Sequence, residues 1–188
     1  MDEFAIAMNF LKGHEGGYQC MRSDAGNWTG GKVGAGILKG TNCGISAAQY
    51  PDKDIKNLSD DEVSAIYFTD YWLRFHYGQL PQPFDIKTFD MGVDMGPVTV
   101  IKILQAACNT CAGSHVLDVD GIIGQHTHDV IFALDAKKLQ LTFCDALSDH
   151  YTAIAEANEN DEKFLDDWLT RATDWPVIVP NVTSGAPT

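Results

Sequence analysis

Glu15 and Asp24 stand nine positions apart near the N-terminus, and a hydroxyl comes after them at Thr41. A carboxyl that gives a proton, a second that stays ionised and a hydroxyl that holds a water are the parts glycosidic-bond cleavage needs. The proton donor must keep its proton near neutrality, and loss of hydration is the direct way to raise a carboxyl pKa. Glu15 is placed for that. Phe4, Met8, Leu11 and Glu15 recur at helical spacing, so the carboxyl falls at the core-facing end of an amphipathic first helix. Gly16 and Gly17 then read as the stop, because glycine readily takes the left-handed conformation of a C-terminal cap. Taken alone, Glu15 also fits a surface glutamate at a frayed helix end. The residues after Gly17 narrow the choice.

The elements that must position Asp24 and Thr41 are dictated by glycine. Gly26, Gly30, Gly31, Gly34, Gly36, Gly40 and Gly44 punctuate a polar stretch that ends in Thr41-Asn42-Cys43-Gly44-Ile45-Ser46. Such density predicts turns and a short hairpin rather than a helix. A helix ending in a glutamate, then a hairpin bearing an aspartate and a threonine, would make one wall of a cleft.

His14-Glu15-Gly16-Gly17-Tyr18, Asp24 and Thr41-Asn42-Cys43-Gly44-Ile45-Ser46 together resemble the signature of glycoside hydrolase family 108, N-acetylmuramidases found among phage endolysins and related lysozymes. Phe89-Asp90-Met91-Gly92-Val93-Asp94-Met95-Gly96-Pro97 is similar to a second motif of that family. Leu104-Gln105 and Asp118-Val119-Asp120-Gly121-Ile122-Ile123-Gly124 with Thr127 resemble the peptidoglycan-binding segment that usually comes next. The resemblance spans residues 3–175. It departs at Asp94, where asparagine is common, and at His126, where proline is usual. If Asp94 lies close to Glu15, its charge raises the pKa of Glu15 further.

The resemblance implies a mainly α, lysozyme-like two-lobed fold with a small β-hairpin beside the active site. It implies a catalytic lobe at 1–90 and a helical lobe resembling the peptidoglycan-binding segment at 91–176, while the prolines and few charges at the end of the sequence predict a flexible tail at 177–188. It also implies Glu15 as general acid, Asp24 as general base or stabiliser of the oxocarbenium-like transition state, and Thr41 as the residue placing water. A threonine beside the aspartate suggests a held water and hence inversion. Tyr18, Asn42, Asp90 and Asp94 are the expected sugar contacts. No cofactor and no metal are called for. Two other readings stay open: a lytic transglycosylase on the same polymer, and a catalytically silent peptidoglycan-binding protein.

Composition narrows the partners. The 188 residues carry 26 Asp and Glu against 13 Lys and Arg, a net charge of −13, and the few basic residues form no run. That excludes the basic footprint of a nucleic-acid binder. It also excludes holding an anionic wall by long-range attraction, so recognition of glycan strands must come from short-range contacts. Acids at Asp2 and Glu3 and the short apolar stretch after them do not make a signal peptide. No run approaches the roughly 20 apolar residues of a membrane span. The expectation is a monomer made in the cytoplasm that acts in the periplasm or on the wall after holin-type release or injection. Export or injection machinery, or an inhibitor or immunity protein, would be its further partners.

Five cysteines at irregular spacing imply no dense disulfide framework. Cys108-Asn109-Thr110-Cys111 lacks both a thioredoxin-like context and two further zinc ligands, which leaves packing. Asp118-Val119-Asp120-Gly121 fails as a calcium loop, because its spacing puts Val116 and Thr127 where acids belong. Further along, Ser59 and Glu62 form a capping box for a helix reaching about Arg74, with Tyr67, Tyr71 and Trp72 as core or as the aromatic edge of a cleft. Pro81 and Pro83 mark a break before a helix near 84–95, and periodicity predicts further helices from Pro97 with Val98, Ile101, Leu104 and Cys108 inward, through Thr127 to Leu134, through Leu139 to Ile154, and around Phe164 to Leu169.

Overall fold

The computed structural model describes residues 2–158 and 161–177. Helix α1 (Glu3–Lys12) buries Phe4, Ala7, Met8 and Leu11, the stripe its 3.6-residue period requires. It stops earlier than expected. Gly13 caps it in right-handed conformation, and the N–H groups of His14 and Glu15 both turn back to the Leu11 carbonyl at 2.9 and 3.1 Å. Gly16 and Gly17 do not take the left-handed conformation expected of a cap. Glu15 therefore sits on a tightened turn beyond the helix, free to point away from the axis of the apolar stripe.

The glycine-rich stretch folds into turns around an antiparallel hairpin, β1 (Thr41–Asn42) and β2 (Ile45–Ser46), with Thr41 opposite Ser46 and Asn42 opposite Ile45. A single bridge from Gln19 to Thr41 ties the stretch after Glu15 to this hairpin. Helix α2 (Asp60–Tyr67) opens with the expected capping box: the Ser59 hydroxyl accepts from the Glu62 N–H, and the Glu62 carboxylate accepts from the Ser59 N–H. Instead of continuing as α-helix to Arg74, the chain widens into a π-helical turn at Phe68–Leu73.

Helix α3 (Phe84–Met95) is the axle of the molecule. Every residue from Phe84 to Gly92 is buried, including Asp85, Lys87, Thr88 and Asp90. Burying polar groups is costly without partners; Lys87 and Asp90 have them, whereas Asp85 Oδ2 and the Thr88 hydroxyl have none among the described residues. Gly96, at φ +94°, turns the chain into α4 (Pro97–Ala112), which begins with proline where its missing N–H costs nothing. Val98 is 48% exposed rather than buried as expected; Val100, Ile101, Leu104, Ala107, Cys108 and Cys111 form the inward face. Helices α5 (Gln125–Ala133), α6 (Ala136–Ala157) and α7 (Leu165–Thr173) complete the chain, with α6 packed on α4 and α7.

Buried side chains from Phe4 to Ala172 form one contiguous core. The fold is mainly α, with the small hairpin beside Glu15, as the sequence implied. The Asp120 carboxylate accepts from Gln105 and the Ile122 N–H, which makes the Asp118–Gly121 motif a structural turn. All five cysteines are free thiols. Of the tail expected at 177–188, residues 178 onward lie outside the described residues. No described helix is long and apolar enough to cross a membrane.

Candidate active site

Glu15 lies at the wall of a cavity of about 300 Å³ lined by Met8, Leu11, Lys12, Cys43, Val63 and Tyr67. Its side chain keeps 16% of its surface exposed, enough to meet a substrate and too little to be fully hydrated. Burial raises its pKa above the ordinary carboxyl value. Arg171 opposes that rise, and the charges of Asp94 and Asp90 add to it. The tip of the hairpin seals this side. Gly44, at φ +76°, passes so close that a Cβ there would stand 2.4 Å from the Tyr67 hydroxyl and 2.7 Å from Glu15 Oε2. The Tyr67 hydroxyl in turn donates to the Cys43 carbonyl at 2.8 Å.

Behind Glu15 is a charged cluster drawn from four parts of the chain. Arg171 of α7 reaches Glu15 Oε1 at 3.2 Å, Asp90 Oδ1 at 2.9 Å and Asp94 Oδ1 at 3.1 Å. Its Nε adds a second bond to Asp90 Oδ2 at 3.3 Å. His14 spans Asp90 at 3.0 Å and Asp174 at 3.2 Å. The Tyr151 hydroxyl of α6 donates to Asp94. Burial alone would raise Asp90, but the His14 hydrogen bond and the Arg171 charge outweigh it and hold the carboxyl below its usual value. Asp90 reciprocates by raising His14.

Asp24 and Thr41 belong to a second cluster. The Asp24 carboxylate accepts from the Gly26 N–H at 2.8 Å and from the Gln19 amide at 2.9 Å. Gln19 and the fully buried Asn27 exchange amide hydrogen bonds, and the Thr41 hydroxyl donates to Asn27 at 2.7 Å. A Cβ at Gly26 would lie 3.2 Å from Asp24 Oδ1 and 3.7 Å from Ser46 Cβ, so Asp24 and Ser46 flank one glycine. Ser46 is two residues beyond Gly44, about 7 Å along an extended strand. The hairpin thus links the two clusters, its tip against Glu15 and its base against Asp24.

The expected sugar contacts separate. Asp94 joins the Glu15 cluster. Asp90 does too, but its side chain is 0% exposed and its oxygens face His14 and Arg171, which corrects its placement as a sugar contact. The Asn42 amide donates to the Ile55 carbonyl at 3.1 Å and so braces the hairpin. Tyr18 is 40% exposed, bonds the Lys39 carbonyl and lines a different surface pocket with Lys53 and Lys56. A further cavity of about 350 Å³ lies past Tyr71, whose ring packs 5.4 Å from that of Tyr67; Gln49, Tyr50, Asp70 and Arg74 line it. Among the described residues no group of His, Cys, Asp and Glu is arranged to hold a metal.

Sequence reasoning passed over Gln19, Asn27, Tyr151 and above all Arg171. One signal for Arg171 existed. It lies three residues after Trp168 and one before the buried Ala172, which puts a cation on the inward stripe of an otherwise acidic helix.

A largely enclosed carboxyl beside a cavity, with a second carboxylate and hydroxyls across a hairpin, is an arrangement compatible with glycosidic-bond cleavage. Residues 8–96 match the family model described as glycosyl hydrolase 108, and residues 99–173 match one described as a predicted peptidoglycan domain. Together the two matches support a glycoside hydrolase that acts on peptidoglycan. Among solved structures it is similar to Brucella abortus SagA, with a TM-score of 0.67 and 26% identity over 90% of this chain and 89% of that one. A search of curated proteins finds no match.

Proposed function

We propose that the protein is an N-acetylmuramidase that cleaves the β-1,4 bond between N-acetylmuramic acid and N-acetylglucosamine with inversion. The supporting observation is Glu15: a largely enclosed carboxyl at a cavity wall, pushed above its ordinary pKa. Protonated, it gives its proton to the leaving glycosidic oxygen as the bond to the sugar breaks. Asp24, on the other side of the hairpin, takes the proton from the attacking water. The Thr41 hydroxyl spends its own proton on Asn27 and offers that water an acceptor, while Ser46, directly opposite in register, can donate. Asp94 acts on Glu15 through its charge, and Tyr71 lines the separate cavity at Asp70 and Arg74.

Replacing Glu15 by Gln preserves shape and removes the proton. Release of soluble muropeptides from purified sacculi is expected to fall by roughly three orders of magnitude or more, with the circular dichroism spectrum unchanged. Near wild-type release would exclude Glu15 as the acid. Product analysis tests the rest: initial α-anomers at a reducing N-acetylmuramic end indicate inversion, whereas anhydromuramic ends would indicate transglycosylation. A sacculus pull-down without release would indicate a binding protein.

A further inference from the structure

The reaction centre receives a residue from the far end of the chain. Arg171 lies on α7, inside the segment that matches the peptidoglycan domain, and its side chain is only 12% exposed. It makes a two-pronged contact with Asp90, through Nε at 3.3 Å and Nη2 at 2.9 Å, which aligns the guanidinium plane. The same plane then meets Glu15 Oε1 at 3.2 Å and Asp94 Oδ1 at 3.1 Å. Five N–H groups in a rigid fork can serve three carboxylates at once, which a lysine ammonium cannot do with comparable geometry. The backbone of Arg171 is pinned as well, because Lys87 of α3 donates to its carbonyl at 2.5 Å.

We propose that Arg171 is a positioning residue for the catalytic acid: it holds the Glu15 carboxyl from behind and balances the negative charge of Asp90 and Asp94. The proposal rests on the muramidase reading of Glu15. It gives the C-terminal segment a part in chemistry as well as in contact with the wall.

The charge balance can be traced group by group. Asp90 and Asp94 of α3 both favour the protonated form of Glu15, and Arg171 of α7 favours the ionised form. Tyr67 of α2 and Tyr151 of α6 are neutral phenols held so by burial. His14, beside Glu15, is tied to Asp90 and Asp174, and Lys87 faces Asp90 from within α3. Removing the guanidinium leaves two aspartates beside the acid with their main cation gone. Glu15 then holds its proton to higher pH but loses the contact that fixes its rotamer.

The test uses the full chain with Arg171→Gln and Arg171→Lys. Glu15 is titrated by carboxyl carbon NMR, and kcat and KM are measured against pH on soluble glycan fragments. In Arg171→Gln the Glu15 titration and the alkaline limb of kcat are expected to move together to higher pH. Its kcat falls about tenfold or more while KM changes little. Arg171→Lys keeps the titration near wild type yet loses rate, because it retains the charge without the fork. A lower melting temperature with the titration and the limb unmoved in both variants would overturn the proposal, since packing alone predicts that. Should Arg171→Gln unfold, Asp94→Asn reads the same balance from the other side: the Glu15 titration moves to lower pH, and an unmoved one overturns the proposal. If the wild type releases no fragments, the muramidase reading fails, while the titrations still decide the role of Arg171.

Discussion

Glu15 shows how one side chain is tuned by neighbours of opposite effect. Burial, Asp94 and Asp90 raise it, and Arg171 restrains the rise. Its neighbourhood was legible in the sequence, because helical spacing groups Glu15 with Met8 and Leu11, although the carboxyl reaches their cavity from a turn beyond the helix. The influence of Asp94 was legible as a condition on distance, which the shared Arg171 contact meets. A second carboxyl is governed chiefly by burial, which outweighs the hydrogen bond it accepts from the Ile86 N–H. Asp85, enclosed in α3, is pushed by burial from 3.8 up to about 7. A carboxyl raised on folding favours the folded state only while protonated, so its cost starts above the unfolded value and is complete above about pH 7. That cost is roughly 4 kcal/mol. Asp85→Asn, which removes the charge and keeps the shape, is expected to stabilise the protein at pH 8 by a few kcal/mol and to change little at pH 4. Urea unfolding at the two pH values measures it, and equal effects at both would refute the linkage.

The elements divide into those set locally and those set by tertiary contact. The capping box of α2, the proline break before α3 and the proline start of α4 are written within a few residues, and each was legible. The exit of α1 was not. Gly16 and Gly17 suggested a stop there, but the chain leaves the helix at Gly13, and Glu15 beyond it is met by the hairpin tip at Gly44 and by Arg171 of α7. The π-helical widening after Tyr67 has no local signature either. Two substitutions separate these cases. Ser59→Ala removes the cap and is expected to cost about 1 kcal/mol of stability, with the rate per folded molecule unchanged. Gly44→Ala forces a side chain into a left-handed position and against both Tyr67 and Glu15. Its expected effect is a loss of activity of about a hundredfold or more together with reduced stability. Denaturant midpoints and sacculus assays on both variants check the contrast, and an active Gly44→Ala enzyme would contradict the packing described.

At the scale of the molecule, a net charge of −13 faces an anionic polymer. Salt screens that repulsion, so lysis of permeabilised cells is expected to hold steady or improve from low to physiological ionic strength. A steep monotonic fall would show that attraction, not short-range contact, brings the enzyme to the wall. Overall charge was legible from composition; which of the few cations matters was not. Glu15 and Arg171 are 156 positions apart, and pairs so distant leave no mark in a local pattern.

That separation also sets an order of events during translation. At about 5–20 residues per second, the ribosome takes roughly 8 to 30 seconds to proceed from the acid to its arginine. For that interval a nascent chain carries the glutamate without the cation that anchors it. The finished centre therefore cannot assemble until α7 has emerged, and a chain halted before Arg171 leaves Glu15 without its anchor.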